Sequence, residues 1–329
     1  MKAAYPKIKC QILLLLIGVA FKSVAQQATQ YSLVSYNPYQ YNVGYAGLAN
    51  SLEATAVIRK QWLNVQGSPL SQNINAHLPV YYLHGGFGIN IDNDQVGAIR
   101  TTAATASYCY HVASGKGNMF GLGIGGGFAQ QNLDGTKLTT PDGKYTNGGT
   151  QHNDNILAEV SQNATAPIVQ MGAYFKTKRV QIGLSANNLT QSYEKYTIKN
   201  LKIRFIKNIF CNFAVNFALG KNLTISPTVF LKTDFIQTQI ESGFLATISD
   251  NYTIGCVVRG YSPKTTDALV IFGSLKINDK TKLAYGYDIG LSKFNTAQNG
   301  SHEILIQYNL NKVIGAGKPE KIIYNPRFL

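Results

Sequence analysis

The sequence has few cysteines and few histidines, which argues against a disulfide scaffold and against a metal site. Cys10 precedes the N-terminal apolar run, which leaves Cys109, Cys211 and Cys256 at wide spacing. An odd number of distant cysteines does not build a disulfide framework, although one bridge with one free thiol stays open as the alternative. The five histidines show no metal-ligand spacing. We therefore expect neither a metal ion nor a cofactor.

The sequence also lacks the motifs of an enzyme. Residues 121–126 satisfy the dinucleotide pattern G-x-G-x-x-G, but no helix start follows them to hold a pyrophosphate. Gly121, Gly123 and Gly125 alternate with Leu122 and Ile124, which predicts a strand whose inner face must leave room in the lumen. No nucleophile elbow is present. His302 and Glu303 are more simply interpreted as a polar rim at the start of a strand, so we predict no catalysis.

No apolar run after residue 25 approaches the roughly 20 residues of a membrane-spanning helix. The N-terminus has three lysines before an apolar run at 12–21, and small residues follow at 23–25. This order predicts a signal peptide over residues 1–25 and therefore export, with an uncleaved anchor as the alternative. Cleavage would lower the formal net charge from +14 to +10, because it removes four lysines and no acidic residue.

What the sequence does contain is a two-residue alternation that recurs from about residue 52 to residue 310. In 101–112 one face carries Tyr108, Tyr110 and Val112, and the other face is small and polar. In 282–291 tyrosine, leucine and isoleucine alternate with Ala284, Asp288 and glycines. Successive strand residues point to opposite faces. Apolar outer faces and polar inner faces predict a closed antiparallel transmembrane β-barrel, an all-β fold in the outer membrane.

The alternation divides into fourteen segments, an even number that allows both ends of the barrel to lie on one side. The predicted strands cover residues 52–63, 71–78, 86–92, 101–112, 119–130, 168–175, 180–187, 208–218, 223–232, 236–246, 252–259, 268–276, 282–291 and 302–310. Short connections follow the even-numbered strands and longer ones follow most odd-numbered strands, with the ninth as an exception. This is the pattern of short periplasmic turns and longer external loops.

The chain accordingly divides into four parts. Residues 1–25 are the signal peptide, and residues 52–310 are the barrel. Residues 26–51, rich in Tyr, Asn and Gly, are expected to pack inside the pore or under its periplasmic mouth. Residues 311–329 are predicted to form a basic periplasmic tail that Pro319 and Pro326 keep from being a continuous helix.

The excess of basic residues suggests contact with anionic lipid headgroups or acidic partners. Nucleic acid is disfavoured, because the basic residues are scattered and no recognised nucleic-acid module is present. The densest group lies within 193–207 and is predicted to contact lipopolysaccharide phosphates or, alternatively, a partner protein. Its members are Lys195, Lys199, Lys202, Arg204 and Lys207.

Several segments resemble one family. Residues 30–47 contain QY, YNP and YNVGYAG, residues 59–69 contain RKQW and GSP, and residues 284–304 contain AYGYD and GSHEI. With the terminal NPRF at 325–328, these resemble the PorP/SprF family, outer-membrane proteins of the Bacteroidota that are linked to type IX secretion and gliding. Two features depart from the family: Val43-Gly44 replaces a second proline turn, and no OmpA-like domain follows the barrel.

The resemblance implies a monomeric, non-enzymatic barrel in one of two roles. It either holds the C-terminal domain of a secreted adhesin at the cell surface, or it links the periplasmic lipoprotein ring to the outer membrane. A passive porin is the alternative from another class. The residues predicted to organise the lumen or bind the partner are Asn37, Pro38, Tyr45, Gly47, Arg59, Trp62, His302 and Glu303.

Overall fold

The computed structural model describes residues 28–113, 118–146, 149–154, 157, 159–195, 202–262, 265–312 and 314. The predicted signal peptide and most of the predicted tail lie outside these residues. Fourteen long strands make up the wall. They are β1 Glu53–Lys60, β2 Leu70–Val80, β3 Gly85–Val96, β4 Ile99–Ala113, β5 Met119–Asp134, β6 Ser161–Lys176, β7 Val180–Asn187, β8 Asn208–Val215, β9 Leu223–Thr233, β10 Thr238–Ile248, β11 Tyr252–Arg259, β12 Ala268–Lys276, β13 Thr281–Gly290 and β14 Ser301–Asn309.

Each strand pairs antiparallel with its neighbours in sequence, and β1 pairs with β14 from Glu53–Asn309 to Lys60–His302. The sheet therefore has no free edge and closes into a barrel. The prediction of a closed antiparallel barrel of fourteen strands is confirmed. Among the described residues, no helix combines the length and apolar character needed to cross a membrane.

The two faces of the wall follow the alternation in the sequence. On β4, Thr105, Ser107 and Cys109 are buried toward the lumen, whereas Tyr110 and Val112 are exposed on the outside. On β13, Asp288 is buried and Tyr285 is exposed. The exposed apolar side chains on alternate strand positions are the surface that hydrocarbon covers in outer-membrane barrels.

The two rims differ in their connections. The rim that follows odd-numbered strands carries the longest connections, including 135–160 and 188–207, and by the general rule for such barrels it is the external rim. It also has two tight connections, 97–98 and 234–237, so the rule holds on average and not at every hairpin. The opposite, periplasmic rim has only short turns, such as 177–179 and 249–251.

Residues 28–51, which we call the plug, run through the lumen. The plug contains three short helical turns, Val34–Tyr36, Pro38–Tyr41 and Val43–Tyr45. At its start the Ala28 carbonyl accepts a hydrogen bond from Lys232 near the external end of β9. Near its end the Leu48 carbonyl accepts one from Lys176 at the periplasmic end of β6. The plug thus spans the lumen before the chain enters β1.

Candidate functional site in the plugged lumen

Five charged side chains from five strands meet in the external half of the lumen, and we call them the lumen network. They are Arg59, Glu241, Arg259, Asp288 and Glu303. Each is at most 4 % exposed in its side chain. All five sit at inward positions of the alternation, and the barrel's curvature brings their strands to face one centre.

The lumen network is held by short ion pairs. The Asp288 carboxylate accepts from Arg59 Nη2 at 2.7 Å and from Arg259 Nη1 at 2.8 Å. Arg59 Nη1 reaches Glu303 Oε2 at 3.1 Å, and Arg259 Nε reaches Glu241 Oε1 at 2.9 Å. Charges buried this deeply are tolerated only when they are paired. Removing one partner leaves the other as an uncompensated buried charge. Each of the three carboxylates has at least one guanidinium partner, and both guanidinium groups are shared between two carboxylates.

The plug completes the lumen network through Ser32. Its hydroxyl donates to the Asp288 carboxylate and accepts from Arg59 Nη1 at 2.8 Å and from Arg259 Nη2 at 2.7 Å. The backbone N–H groups of Ser32 and Leu33 donate to the two oxygens of Glu303 at 2.7 and 3.0 Å. Charge-assisted hydrogen bonds of this kind are about twice as strong as neutral ones. Several strands of the wall therefore hydrogen-bond the plug at two consecutive residues, Ser32 and Leu33.

A second set of contacts between the plug and the wall is made by side-chain amides. The Asn37 side chain donates to Gln40 and to Asn73 and accepts from Asn75 at 2.9 Å. Asn73 in turn donates to Asp92 at 2.8 Å. These polar groups are buried and hydrogen-bonded to one another, so they act as a fitted interface between the plug and the wall.

The inward glycines of β5 allow the plug backbone to touch the wall. A Cβ atom at Gly123 would lie less than 3.0 Å from the backbone of Val43, and one at Gly121 would meet the carbonyl of Gly44. The Cys109 thiol, on the neighbouring strand, donates to the same Gly44 carbonyl at 3.1 Å. The plug backbone thus occupies the room that the inner face of this strand was predicted to leave.

Gly123→Val is expected to displace this part of the plug from the wall. The valine side chain would clash with the Val43 backbone, which cannot move aside as a flexible side chain can. Overpacking of this size costs about 1–3 kcal/mol. The readout is the rate of maleimide labelling of Cys109, which is fully buried beneath the plug, in a background with Cys211 and Cys256 replaced by alanine. Gly126→Val is the matched control, since a Cβ there has ordinary space. Equal labelling of the two variants would contradict the prediction.

The structure brings most of the predicted site residues to the plug and its contacts. Asn37, Tyr45 and Gly47 belong to the buried part of the plug, and Pro38 begins its helical turn. The Tyr45 ring packs edge-on against His77 and Tyr174. Gly47 has a φ of 79° and lies against Gly86, an approach that a side chain would block. Two further predicted residues, Arg59 and Glu303, belong to the lumen network.

Trp62 and His302 lie elsewhere. Trp62 is at the external rim, 37 % exposed, with its ring edge-on to Phe294 at 5.2 Å. The His302 imidazole is on the outer face of β14, where it hydrogen-bonds the Tyr285 hydroxyl and packs on Tyr287. Neither side chain contacts the lumen network in the described residues.

The basic group of 193–207 is only partly described. Tyr193–Lys195 and Lys202–Arg204 pair as a short antiparallel ladder beyond the external rim, whereas Lys199 lies outside the described residues. The Lys207 ammonium lies over the Phe235 ring at 5.0 Å.

Sequence reasoning did not select Ser32, Lys232, Glu241, Arg259 or Asp288 as site residues. The four charged residues among them could have been found, because each lies at an inward position of a predicted strand. A charged residue at such a position needs a partner inside the lumen. Ser32 carried no such pattern. In the part of the chain that the structure describes, no group of three or more His, Cys, Asp or Glu side chains could hold a metal ion.

Two cavities lie beside the plug, and residues of β8, β9 and β10 line both of them. The external cavity, about 340 Å³, is bordered by Ala28, Lys232 and Asp267. The periplasmic cavity, about 120 Å³, is bordered by Pro38, Tyr41 and Phe230. The two do not share a wall residue among the described lining residues.

These features define the class of the protein: an outer-membrane β-barrel whose lumen is filled by its own N-terminal segment. The family model of the type IX secretion system membrane protein PorP/SprF matches residues 23–308. The chain belongs to this family, as the sequence resemblance indicated.

Solved outer-membrane barrels are similar in fold at very low sequence identity. The outer membrane protein Omp33 of Acinetobacter baumannii is 5 % identical, with 79 % of this chain and 97 % of that chain covered and a TM-score of 0.43. A FadL homologue of Pseudomonas aeruginosa is 11 % identical, with 82 % and 92 % covered and a TM-score of 0.47. The toluene transporter TbuX of Ralstonia pickettii is also 11 % identical, with 82 % and 91 % covered and a TM-score of 0.47. No curated protein matches the sequence.

Proposed function

We propose that this barrel is a non-enzymatic anchor of type IX secretion that holds the C-terminal domain of a secreted adhesin at the cell surface. The observation that carries the proposal is the plug, which fills the lumen and is tied to the wall by the lumen network. A filled barrel suits a role in binding protein at its rims better than a role in conducting solutes. Membership of a secretion-system family supplies the context for the partner.

The passive porin is the rival that the plug disfavours. Several inward amides that a polar pore would use are instead covered by the plug. Asn73 and Asn75 are at most 2 % exposed, and both belong to the amide interface with Asn37. Polar residues with their hydrogen bonds satisfied by protein do not line a water-filled channel.

One observation favours a second role, the link to the periplasmic lipoprotein ring. The periplasmic rim exposes mainly basic side chains. Among the described residues, the exposed charged side chains there are Lys178, Arg179, Lys221, Lys276, Lys280 and Lys312, against Asp250 and Asp279. A patch of one sign attracts an acidic partner and speeds its association.

Conductance tests the proposal against the porin. The purified barrel in a planar bilayer is expected to show no stable open pore, because the plug occupies the lumen. A variant lacking residues 29–48 is expected to conduct, since the lumen network and the inward amides then face water. A wide, stable pore formed by the unaltered protein would contradict the anchoring proposal.

Affinity purification from native membranes separates the two anchoring roles. Recovery of one large secreted protein, lost when the external loop 291–300 is shortened, would support the acceptor role. Recovery of periplasmic lipoproteins, lost when Lys178 and Arg179 are both replaced by glutamate, would support the link to the ring. Shortening the periplasmic turn 277–280 is the control for the first experiment.

A further inference from the structure

The plug begins at the external end of the lumen. The Ala28 carbonyl and the Gln30 side chain accept hydrogen bonds from the ammonium of Lys232, which is one residue before the external end of β9. The Gln30 amide donates to Glu241 Oε1 at 2.8 Å, close to the external start of β10. The contacts with the lumen network follow directly along the chain. The first described residue, Ala28, therefore lies at the external mouth.

From there the plug descends to the periplasmic end. The His111 imidazole, near the periplasmic end of β4, hydrogen-bonds the Ala46 carbonyl at 2.7 Å. The Lys176 ammonium, at the periplasmic end of β6, donates to the Leu48 carbonyl at 3.2 Å. An exported chain reaches the outer membrane from the periplasm. The amino end of the plug has therefore passed the whole height of the lumen, whether the strands close around the plug or the plug enters a closed barrel.

The chain between the predicted signal peptide and Ala28 is short. The apolar run of that peptide ends at Phe21, and Ala28 is the seventh residue after it. Seven extended residues span at most about 25 Å, and the apolar band of an outer-membrane barrel is itself about 25 Å tall. While the apolar run is held in the inner membrane, no length is left to cross the periplasm as well. Such a chain cannot place Ala28 at the external mouth.

Passage of the uncut peptide through the lumen is also unfavourable. It would move the apolar run 12–21 from lipid into water outside the cell. Exposing one leucine or isoleucine side chain costs about 1.5–3 kcal/mol, and the run contains six of these side chains. Both routes therefore require that the peptide is removed before the plug packs into the lumen.

We propose that proteolysis between Ala25 and Gln26 must precede packing of the plug, and that the new amino terminus lies at the external face of the barrel. The small residues at positions 23 and 25 suit a signal peptidase. The enzyme adds water across the Ala25–Gln26 peptide bond, which leaves a carboxylate on the released peptide and an α-amino group on Gln26. Gln26 and Gln27 lie outside the described residues, and two residues extend at most about 7 Å from Ala28.

This order of events concerns the assembly of the barrel and holds for either anchoring role. Pulse-labelling in cells measures it, with precursor and mature chain separated by size. Maleimide reports on Cys109 alone once the other three cysteines are replaced by alanine. Protection of Cys109 by the plug is expected only in the mature chain.

Ala25→Leu removes a small residue from the cleavage site. It is expected to slow cleavage and to delay the protection of Cys109 by the same factor. Val24→Leu, between the two small residues, is the matched control and is expected to change neither rate. Protection of Cys109 in the uncut precursor, or protection at the unaltered rate in Ala25→Leu, would overturn the proposed order.

The position of the amino terminus is tested by labelling from outside. A short hydrophilic epitope is inserted between Gln26 and Gln27, and antibody binding is compared between intact cells and cells with a permeabilised outer membrane. Equal binding in both is expected, as for the same epitope in the external loop 291–300. In the periplasmic turn 249–251 the epitope is expected to be bound only after permeabilisation.

Ala28→Cys makes the same test without an insertion. Residue 28 borders the external cavity, so a membrane-impermeant maleimide is expected to reach its thiol in intact cells that lack the other cysteines. Lys221→Cys, in an exposed periplasmic turn, is the control and is expected to react only after permeabilisation. Labelling of either the epitope or Cys at position 28 in intact cells supports the outward orientation. Labelling of both only after permeabilisation would overturn it.

Discussion

Asp288→Ala is expected to release the plug and open the barrel to ions. The substitution leaves the guanidinium groups of Arg59 and Arg259 buried without their shared carboxylate, and it removes the acceptor of the Ser32 hydroxyl. Breaking a buried ion pair from one side costs about 3–5 kcal/mol. The plug is the part of the lumen that can leave, because the wall strands are fixed by their ladders. The cost of the broken ion pairs is therefore expected to be relieved by dissociation of the plug from the lumen wall.

Two readouts check this result. Single-channel recordings are expected to change from closed to conducting, and maleimide labelling of Cys109 is expected to accelerate at least tenfold in the background without Cys211 and Cys256. Asp279→Ala, at an exposed periplasmic turn, is the matched control and is expected to change neither. A closed Asp288→Ala barrel with protected Cys109 would show that the lumen network does not retain the plug.

A double-mutant cycle separates loss of a specific pair from general damage. Arg59→Ala and Asp288→Ala remove opposite partners of one 2.7 Å ion pair. If each single substitution acts by leaving the opposite charge buried without a partner, the double variant is expected to release the plug less than the sum of the two single-variant effects on plug release. Full additivity would indicate that the two residues act independently.

The barrel was predictable from sequence because lipid imposes a strict period of two on its wall. The same rule explains why some predicted strands are shorter than the observed ones. β6 begins at Ser161, although only 168–175 was predicted, because Ser161, Asn163 and Thr165 face outward beyond the apolar band. β5 likewise continues to Asp134 and pairs with β6 over its whole length. Backbone pairing continues above the bilayer after the hydrophobic pattern has ended.

The end of β1 was predicted too far along the chain for a different reason. The predicted strand ran to Leu63, but the observed one ends at Lys60. Trp62 and Asn64 have φ values of 51° and 69°, in the left-handed region that ends an extended strand. Nothing in the alternation of side chains specifies such a local reversal.

The contacts of the lumen were not predictable in the same way. The sequence left residues 26–51 either inside the pore or under its mouth, since a short polar segment has no periodicity that fixes its location. Ser32 contacts Asp288 across 256 positions of the chain. Which inward charges meet depends on the closure of the barrel, and that closure is a property of all fourteen strands together.

Phe230→Ala is expected to create a small conductance while the plug stays in place. Phe230 borders the periplasmic cavity, and Lys232, two residues further along β9, borders the external one. Residues two apart on a strand are separated by about 7 Å. Three aromatic rings form a layer between the cavities. The Tyr41 ring of the plug packs on Phe210 and Phe230, with distances between ring centroids of 5.2 and 5.0 Å. Removing one ring from this layer is expected to join the cavities into a water-filled path.

The measurement separates this path from release of the plug. Phe230→Ala is expected to conduct ions at a lower level than Asp288→Ala, with Cys109 still protected from maleimide, because the lumen network is untouched. Phe213→Ala is the matched control, since Phe213 lies on the neighbouring strand but faces the bilayer and is 43 % exposed. Truncating a buried phenylalanine costs about 3–5 kcal/mol, so barrel folding is checked by resistance to heat denaturation in detergent. A folded Phe230→Ala barrel that stays closed would mean that the layer is sealed by other groups, whereas rapid labelling of Cys109 would mean that the aromatic layer itself holds the plug.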